Sequence, residues 1–423
     1  MRYLWIDCLC IVQNDDQDWL REAAKMDSIY KNSTVTISAL DSWDSHEGLF
    51  SEQIPGEPAF PSRRRSDTNL VKPQSVTSRL SSGKSSVLVF TWATTKSWFC
   101  SALSRSRLLT RGWVCQERMF SPRILHFADN QLYWECRHFV APELDTGSAV
   151  PVRKAPIDWR DVFVTPQRQP TTESTASLLA EPRLGHNADD MCQIRYTEIV
   201  DKRYSKCRFT RETDKLIAIA GMARAYHACS PSEYHAGIWR RSLVHGLSWR
   251  CLYLEEKKPT AHQAPSWSWA SVNTQVAFVG VDTYKKEHGV PICRVIHVET
   301  AVVDPGYPFG RVRSGTLTLE APASPLKWTI CGEHAVNMFD VSCPTPHGTL
   351  SISVAFDSGP TESGEVVALF LTLGHCILIQ PSETKLGSWE RIGFGAWFRF
   401  PEELEEWRAE MITAFPLRTV TIV

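Results

Sequence analysis

Long apolar runs are missing from this chain. No window reaches the roughly 18 uninterrupted apolar residues of a membrane-spanning helix. The nearest, Val366 to Ile379, is broken by Gly374, His375 and Cys376 and reads as a pair of buried strands. Charge of one sign is missing too. Lys and Arg number 46 against 47 Asp and Glu, a formal net charge of -1. Nothing global therefore recruits nucleic acid or an anionic membrane. A secretory leader is not evident, because Asp7 interrupts the opening apolar run. Metal-ligand spacing is lacking as well. The thirteen Cys are scattered and odd in number. The closest pair, Cys8 and Cys10, has no second pair at ligand distance, so no metal or other cofactor is expected. These features point to reduced thiols and a cytoplasmic protein. Gly83-Lys84-Ser85 ends like a phosphate-binding loop, but the glycine required five residues earlier is Ser78.

What is present is an ordinary globular composition, 43% hydrophobic over 423 residues, long enough for two or three domains. Sixteen Trp is high for this length. Most lie in apolar periodic segments, so they read as core.

Residues 3–12 are almost continuously apolar and predict a central strand. Gln13 to Asp18 supplies helix-capping chemistry. Trp19, Ala23, Met26 and Tyr30 then share one helical face. Thr34 to Ala39 alternates like a strand. Together these form a βαβ unit with parallel strands. Residues 51–97, rich in Ser, Arg, Pro and Thr, read as a disordered insertion. Order returns at Leu108. Thr110 is placed to cap a helix over 111–120, and Arg111 with Glu117 to brace it. Arg123–Phe127 and Gln131–Cys136 read as a hairpin turning at Asp129-Asn130. Residues 140–185 resemble a variable loop. Three helices follow, at 189–208, 214–229 and 235–252. Ser266–Val272, Thr316–Leu319 and Ser351–Val354 alternate as strands.

Several of these segments carry a family resemblance. Tyr3-Leu4-Trp5-Ile6-Asp7-Cys8-Leu9-Cys10-Ile11-Val12-Gln13, with Asp15-Asp16, Asp18-Trp19 and Glu22 to Tyr30, resembles the central block of heterokaryon-incompatibility (HET) domains. Asp44 to Phe50 is similar to the segment that often follows. Leu109 to Arg118, Ser121 to Phe127 and Leu132 to Cys136 look like the closing block. Looser likenesses continue at Asp214-Lys215-Leu216, Ala236-Gly237-Ile238-Trp239 and Ala264 to Ser271. The family's upstream Leu-Ser-Tyr-x-Trp-Gly strand and the helix after it do not precede Tyr3, so the chain reads as an N-terminally truncated copy.

The resemblance implies an α/β fold, a partial TIR- or flavodoxin-like parallel sheet, followed by a helical segment and a β-rich C-terminal region. The boundaries expected are 1–138 for the partial HET domain, 139–186 for a linker, 187–260 for the helical segment and 261–423 for the β-rich region. It also implies an effector of fungal non-self recognition that triggers cell death or growth arrest. That effector would be a signalling module acting through protein partners or self-association, with no nucleic acid and no membrane span. The alternative is a TIR-like NAD glycohydrolase, or an inactive remnant.

In an open α/β sheet a ligand would lie beyond the carboxyl ends of the strands. Asp7, the loop Gln13–Asp16, Ser38 and Asp41 fall at that edge. A carboxylate there could steady the cationic transition state of glycosidic cleavage of an NAD-like nucleotide. By the TIR analogy Glu22 is the first catalytic candidate and Asp7 the second. The structural alternatives weigh more: Asp7 capping the next turn or pairing with Arg111, and Glu22 in an ion pair with Lys25. Cys115, Glu117 and His126 form a further polar set with no spacing that requires them to meet.

Overall fold

The computed structural model describes residues 3–42, 44, 46–49, 76–79, 85–88, 95–128, 131–143, 150–151, 196–254, 259, 262–279, 290–328, 339–345, 348–358, 364–397 and 404–423. The chain forms two units, Ser28–Asp161 and a discontinuous one of Met1–Asp27 with Val162–Val423. The expected linker therefore lies mostly outside the described residues, as does most of the expected disordered insertion.

The signature run at 3–12 is not a strand. Residues 3–6 are extended and Asp7–Cys10 turns as a short helix, α1. The Asp7 carboxylate accepts from the Cys8 N–H at 2.8 Å. The Ile6 carbonyl accepts from Leu9 and Cys10. An acid that captures a nearby amide offers the backbone a local alternative to a ladder, and that bond replaces the predicted strand. The expected helix then comes in two pieces, α2 (Asp16–Ala23) and α3 (Met26–Asn32). Asp15 caps α2 by accepting from Gln17 and Asp18, at 2.9 and 3.0 Å.

The unit Ser28–Asp161 is built on a mixed five-stranded sheet. Its strands are β1 (Thr36–Ala39), β4 (Arg123–Ala128), β5 (Gln131–Cys136), β6 (Phe139–Pro142) and β7 (Val150–Pro151), in that order. A separate hairpin pairs β2 (Val76–Arg79) with β3 (Ser85–Leu88). The only parallel pairing in the five-stranded sheet joins β1 to β4. The β4–β5 hairpin is as predicted, with Ala128 opposite Gln131, and Asp129 and Asn130 lie outside the described residues. The unit also contains α4 (Thr95–Arg105) and α5 (Gly112–Phe120). Thr110 does not cap α5; its hydroxyl donates to the Arg107 carbonyl at 2.7 Å.

In the other unit, α6 (Ala220–Cys229) buries Met222, Ala223 and Tyr226. The helix expected at 235–252 is absent. In its place β8 (Tyr234–His235) and β9 (Ile238–Trp239) form a hairpin, followed by α7 (Leu243–Gly246) and β10 (Trp249–Cys251). The hairpin turns on Ala236 and Gly237, both at positive φ, 46° and 95°, which is the requirement of a two-residue hairpin turn. β10 pairs with β11 (Val276–Phe278).

Eight further strands make the large sheet: β12 (Arg294–Val302), β13 (Val312–Trp328), β14 (Phe339–Thr345), β15 (Gly348–Phe356), β16 (Gly364–Phe370), β17 (His375–Pro381), β18 (Trp389–Ala396) and β19 (Leu417–Ile422). The order is β12-β13-β16-β17-β18-β15-β14, with β19 pairing both β13 and β18. The alternation read at 316–319 is real: Leu317 and Leu319 are buried, and Thr316 and Thr318 half-buried. The apolar run near 366–379 is the β16–β17 pair. Helix α8 (Leu404–Ala414) sets Trp407 and Met411, with the following Phe415, onto the same core as Phe370 and Trp397.

The segment 266–272 is not a strand despite its alternation. The Ser268 hydroxyl accepts from the Ala270 amide at 3.0 Å and donates to the Ala236 carbonyl at 2.5 Å. Such side-chain bonds substitute for a ladder. Trp249, Trp267 and Trp269 are all fully buried around this loop. Into them projects Arg391 from β18, its guanidinium 3.4 Å from the Trp249 ring centre. It donates to Asp357 Oδ2 at 3.0 Å and to the carbonyls of Leu247 and Trp249 at 2.8 and 2.5 Å. Burial depresses the Arg391 pKa, and the Asp357 charge opposes that shift.

Arg391→Met removes one member of a buried ion pair and leaves Asp357 uncompensated, which typically costs about 3–5 kcal/mol. Urea unfolding followed by tryptophan fluorescence should show a loss of that order, and a loss under about 1 kcal/mol would refute the role given to Arg391.

Candidate functional site

Helix α2 is positioned from both ends. At its start, Asp18 Oδ2 accepts from the Val12 amide at 2.8 Å, and Oδ1 accepts from Arg21. This ties the signature segment to the helix. The Val12 bond first, and the Arg21 guanidinium after it, hold the Asp18 carboxyl below its usual range, against the opposing effect of burial. On the apolar side Arg311 lies 4.6 Å from the Trp19 ring centre and pairs with Asp214. Beyond the helix, Arg224 donates to the Ala24 carbonyl at 3.0 Å and to Asp27 at 3.2 Å. Arg211 lies 3.9 Å from Asp16. Three arginines from the later part of the chain thus hold one short helix and its exit.

A cleft of about 460 Å³ opens here, lined by Gln17, Leu20, Arg21, Lys25, Asp304 and Tyr307. Partial burial raises the Tyr307 pKa. Glu22, the first catalytic candidate, does not line it. The Glu22 carboxylate accepts from Lys25 at 2.7 Å, with Arg21 Nε at 3.8 Å. The ion pair weighed from the sequence is therefore present. Asp7, the second candidate, is exposed and caps Cys8. The two carboxylates do not meet in a shared cavity lining. As a site the cleft is modest: its cations already hold acids, which leaves the Gln17 amide, the Asp304 carboxylate and the Tyr307 phenol as its polar groups.

Four large apolar residues of the signature lie in solvent. Tyr3 is 93% exposed, Leu4 73%, Leu9 78% and Val12 60%. Of this run only Ile11 is buried.

The unit Ser28–Asp161 has its own polar cluster, which sequence reasoning missed. The buried Glu135 carboxylate takes Arg118 at 3.1 and 3.0 Å and His126 Nε2 at 2.7 Å. The Phe99 ring packs edge-on to His126 at 5.3 Å. The brace seen here runs from Arg118 to Glu135; Arg111 and Glu117 are the pair expected from the sequence. The signal available was alternation in β5, which puts Tyr133 and Glu135 on one face. With Tyr133 buried in the core, Glu135 is buried beside it. Among the described residues no three His, Cys, Asp or Glu converge as metal ligands, and no helix is long and apolar enough to cross a membrane.

The depressed pKa of Asp18 fixes the sign of a pH effect. The folded value lies below the unfolded value of about 3.9. The bond to Val12 therefore stabilises above pH 4 and is lost as pH falls through the folded pKa. Hydrogen exchange should show protection of the Val12 amide at pH 6 that disappears in acid and is already reduced in Asp18→Ala. Equal protection in that variant would show that another contact holds the segment.

No curated protein and no solved structure matches the chain. Residues 1–117 match the family model described as Heterokaryon incompatibility protein (HET).

Proposed function

We propose that this chain is an effector of fungal non-self recognition, acting inside the cell as a signalling module through protein contact and ending in growth arrest or cell death. The HET match supports a heterokaryon-incompatibility function in general. The observation that carries the finer reading is the exposure of Tyr3, Leu4, Leu9 and Val12. Burying one such side chain is worth roughly 1.5–3 kcal/mol, so a run of them left in water is a strong driving force for association. The state of Glu22 supports the same reading. A carboxylate neutralised by Lys25 at 2.7 Å is poorly placed to stabilise a developing positive charge.

The test is inducible expression in a filamentous fungus of the wild type and of a variant carrying Tyr3→Ser, Leu4→Ser, Leu9→Ser and Val12→Ser. Wild type should arrest growth, and the variant should accumulate to the same level without arrest. Equal arrest by both, or none by either, overturns the contact mechanism. Incubation of the purified chain with NAD separates the alternative. NAD loss that Glu22→Gln abolishes, with folding intact, would replace the signalling reading with a TIR-like glycohydrolase.

A further inference from the structure

A second cavity, of about 510 Å³, lies outside the matched segment. It is lined by Ser205, Lys206, Cys207, Arg208, Phe209, Glu212, Lys215, Tyr253, Asn273 and Gln275. Its volume falls within the usual span of small-molecule sites, about 300–1,000 Å³. Its charge is unbalanced: Lys206, Arg208 and Lys215 stand against one acid, Glu212. That acid is occupied in part, since its Oε1 accepts from Asn273 Nδ2 at 2.7 Å.

Lys215 distinguishes this cavity from an ordinary basic surface. It is only 2% exposed. Its ammonium donates to the Val272 carbonyl and lies 5.5 Å from the Trp269 ring centre. A lysine so deeply buried is rare, because desolvation disfavours its charge. The charge is felt locally. Burial pushes the Cys207 thiol up to about 11, and the Lys215 ammonium opposes that rise. Tyr253 is the opposite case, a large ring 63% exposed. Phe209 offers a second ring, fixed edge-on against Tyr204 at 5.5 Å. Asn273 and Gln275 add amides that can both donate and accept, and the bond to Glu212 steadies the first.

Exposed cations, aromatic rings and amides lining one cavity are the complements of one chemical class. A phosphate monoester carries close to two negative charges at neutral pH, a planar base stacks on aromatic rings, and base edges are read by side-chain amides. We propose that this cavity binds a nucleoside monophosphate, with the phosphate at Lys206 and Arg208 and the base against Tyr253 and Phe209. The site is independent of the HET reading, because none of its residues lies in the matched segment.

The test is calorimetric titration of the full chain with AMP, GMP, CMP and UMP, and with adenosine and inorganic phosphate as partial probes. At least one monophosphate should bind, and more tightly than phosphate or adenosine alone. The paired variant Lys206→Ser with Arg208→Ser should weaken that binding at least about tenfold. Tyr253→Ser should weaken it about fivefold or more. All three substituted side chains are at the surface, so melting temperatures should not move. In the unaltered chain the same nucleotide should protect Lys206 from amine-reactive labelling. No binding by any of the four up to about 5 mM, the weak end of small-ligand affinity, overturns the proposal. So does equal affinity for inorganic phosphate, binding unchanged in the variants, or labelling of Lys206 unaffected by nucleotide.

Discussion

The larger unit depends on the guanidinium of Arg391. Sheets of this size ordinarily keep charge out of the face they bury, yet this one turns an arginine inward among tryptophans. Arginine alone among the cations has a planar fork of five donors. Here the fork is spread over Asp357 and the carbonyls of Leu247 and Trp249, while its face stacks on an indole. The Arg391 amide donates to Ser266 Oγ at 3.0 Å, and Ser266 in turn donates to the carbonyl of Val423. β18, β10, the loop at 264–272 and the chain end are thus joined through one residue. Lysine could not do this, having neither the planar face nor the donors.

The consequence reaches the second cavity. Once the 264–272 loop is fixed, Trp267 and Trp269 have only one place to go. The Trp269 N–H donates to the Gly237 carbonyl at 2.9 Å. A Cβ on residue 237 would stand 2.6 Å from the Trp269 ring nitrogen, so glycine is demanded twice there, by backbone angle and by contact. The Lys215 ammonium lies over the Trp269 ring, 5.5 Å from its centre. Lys215 also holds Tyr204, whose hydroxyl donates to its carbonyl at 2.5 Å. The cavity wall at 205–215 is therefore an outlying part of the tryptophan core, and its buried cation is preorganised by that core.

Much of this was legible in the sequence where hydrophobic period and local chemistry agreed. The β4–β5 hairpin, the β16–β17 pair, the Asp15 cap and the Glu22–Lys25 pair are all dictated within a few residues. Two of the failures share a cause. At Asp7 and at Ser268 a polar side chain captures a neighbouring backbone group, and an apolar or alternating pattern gives no warning of that. At 235–252 the pattern was helical, but two consecutive positive φ values override it. Glycine at 237 announced half of that turn; Ala236 concealed the other half. Lys215, Asp357 and Arg391 are far apart in sequence, and no local rule brings charged residues into a core. Their partners become visible only in three dimensions.

The same distinction bears on how the signature segment should be understood. An apolar run in a family motif is naturally taken for core, and on that view its carboxylates would line a site at the strand end. Here Asp7 spends its charge on a turn and Glu22 on a lysine, while Tyr3, Leu4, Leu9 and Val12 face water. α2, to which they are tied through Asp18, is itself held by Arg211, Arg224 and Arg311. Those contacts are exposed or half-exposed ion pairs, a ring contact and a bond to a backbone carbonyl, the pairs and the ring contact individually worth about 1 kcal/mol or less, so the grip is firm only collectively. A segment presenting apolar side chains, fastened by several weak and salt-sensitive contacts, suits the association surface proposed above, whereas a catalytic floor must fix its charged groups within a dry and rigid frame.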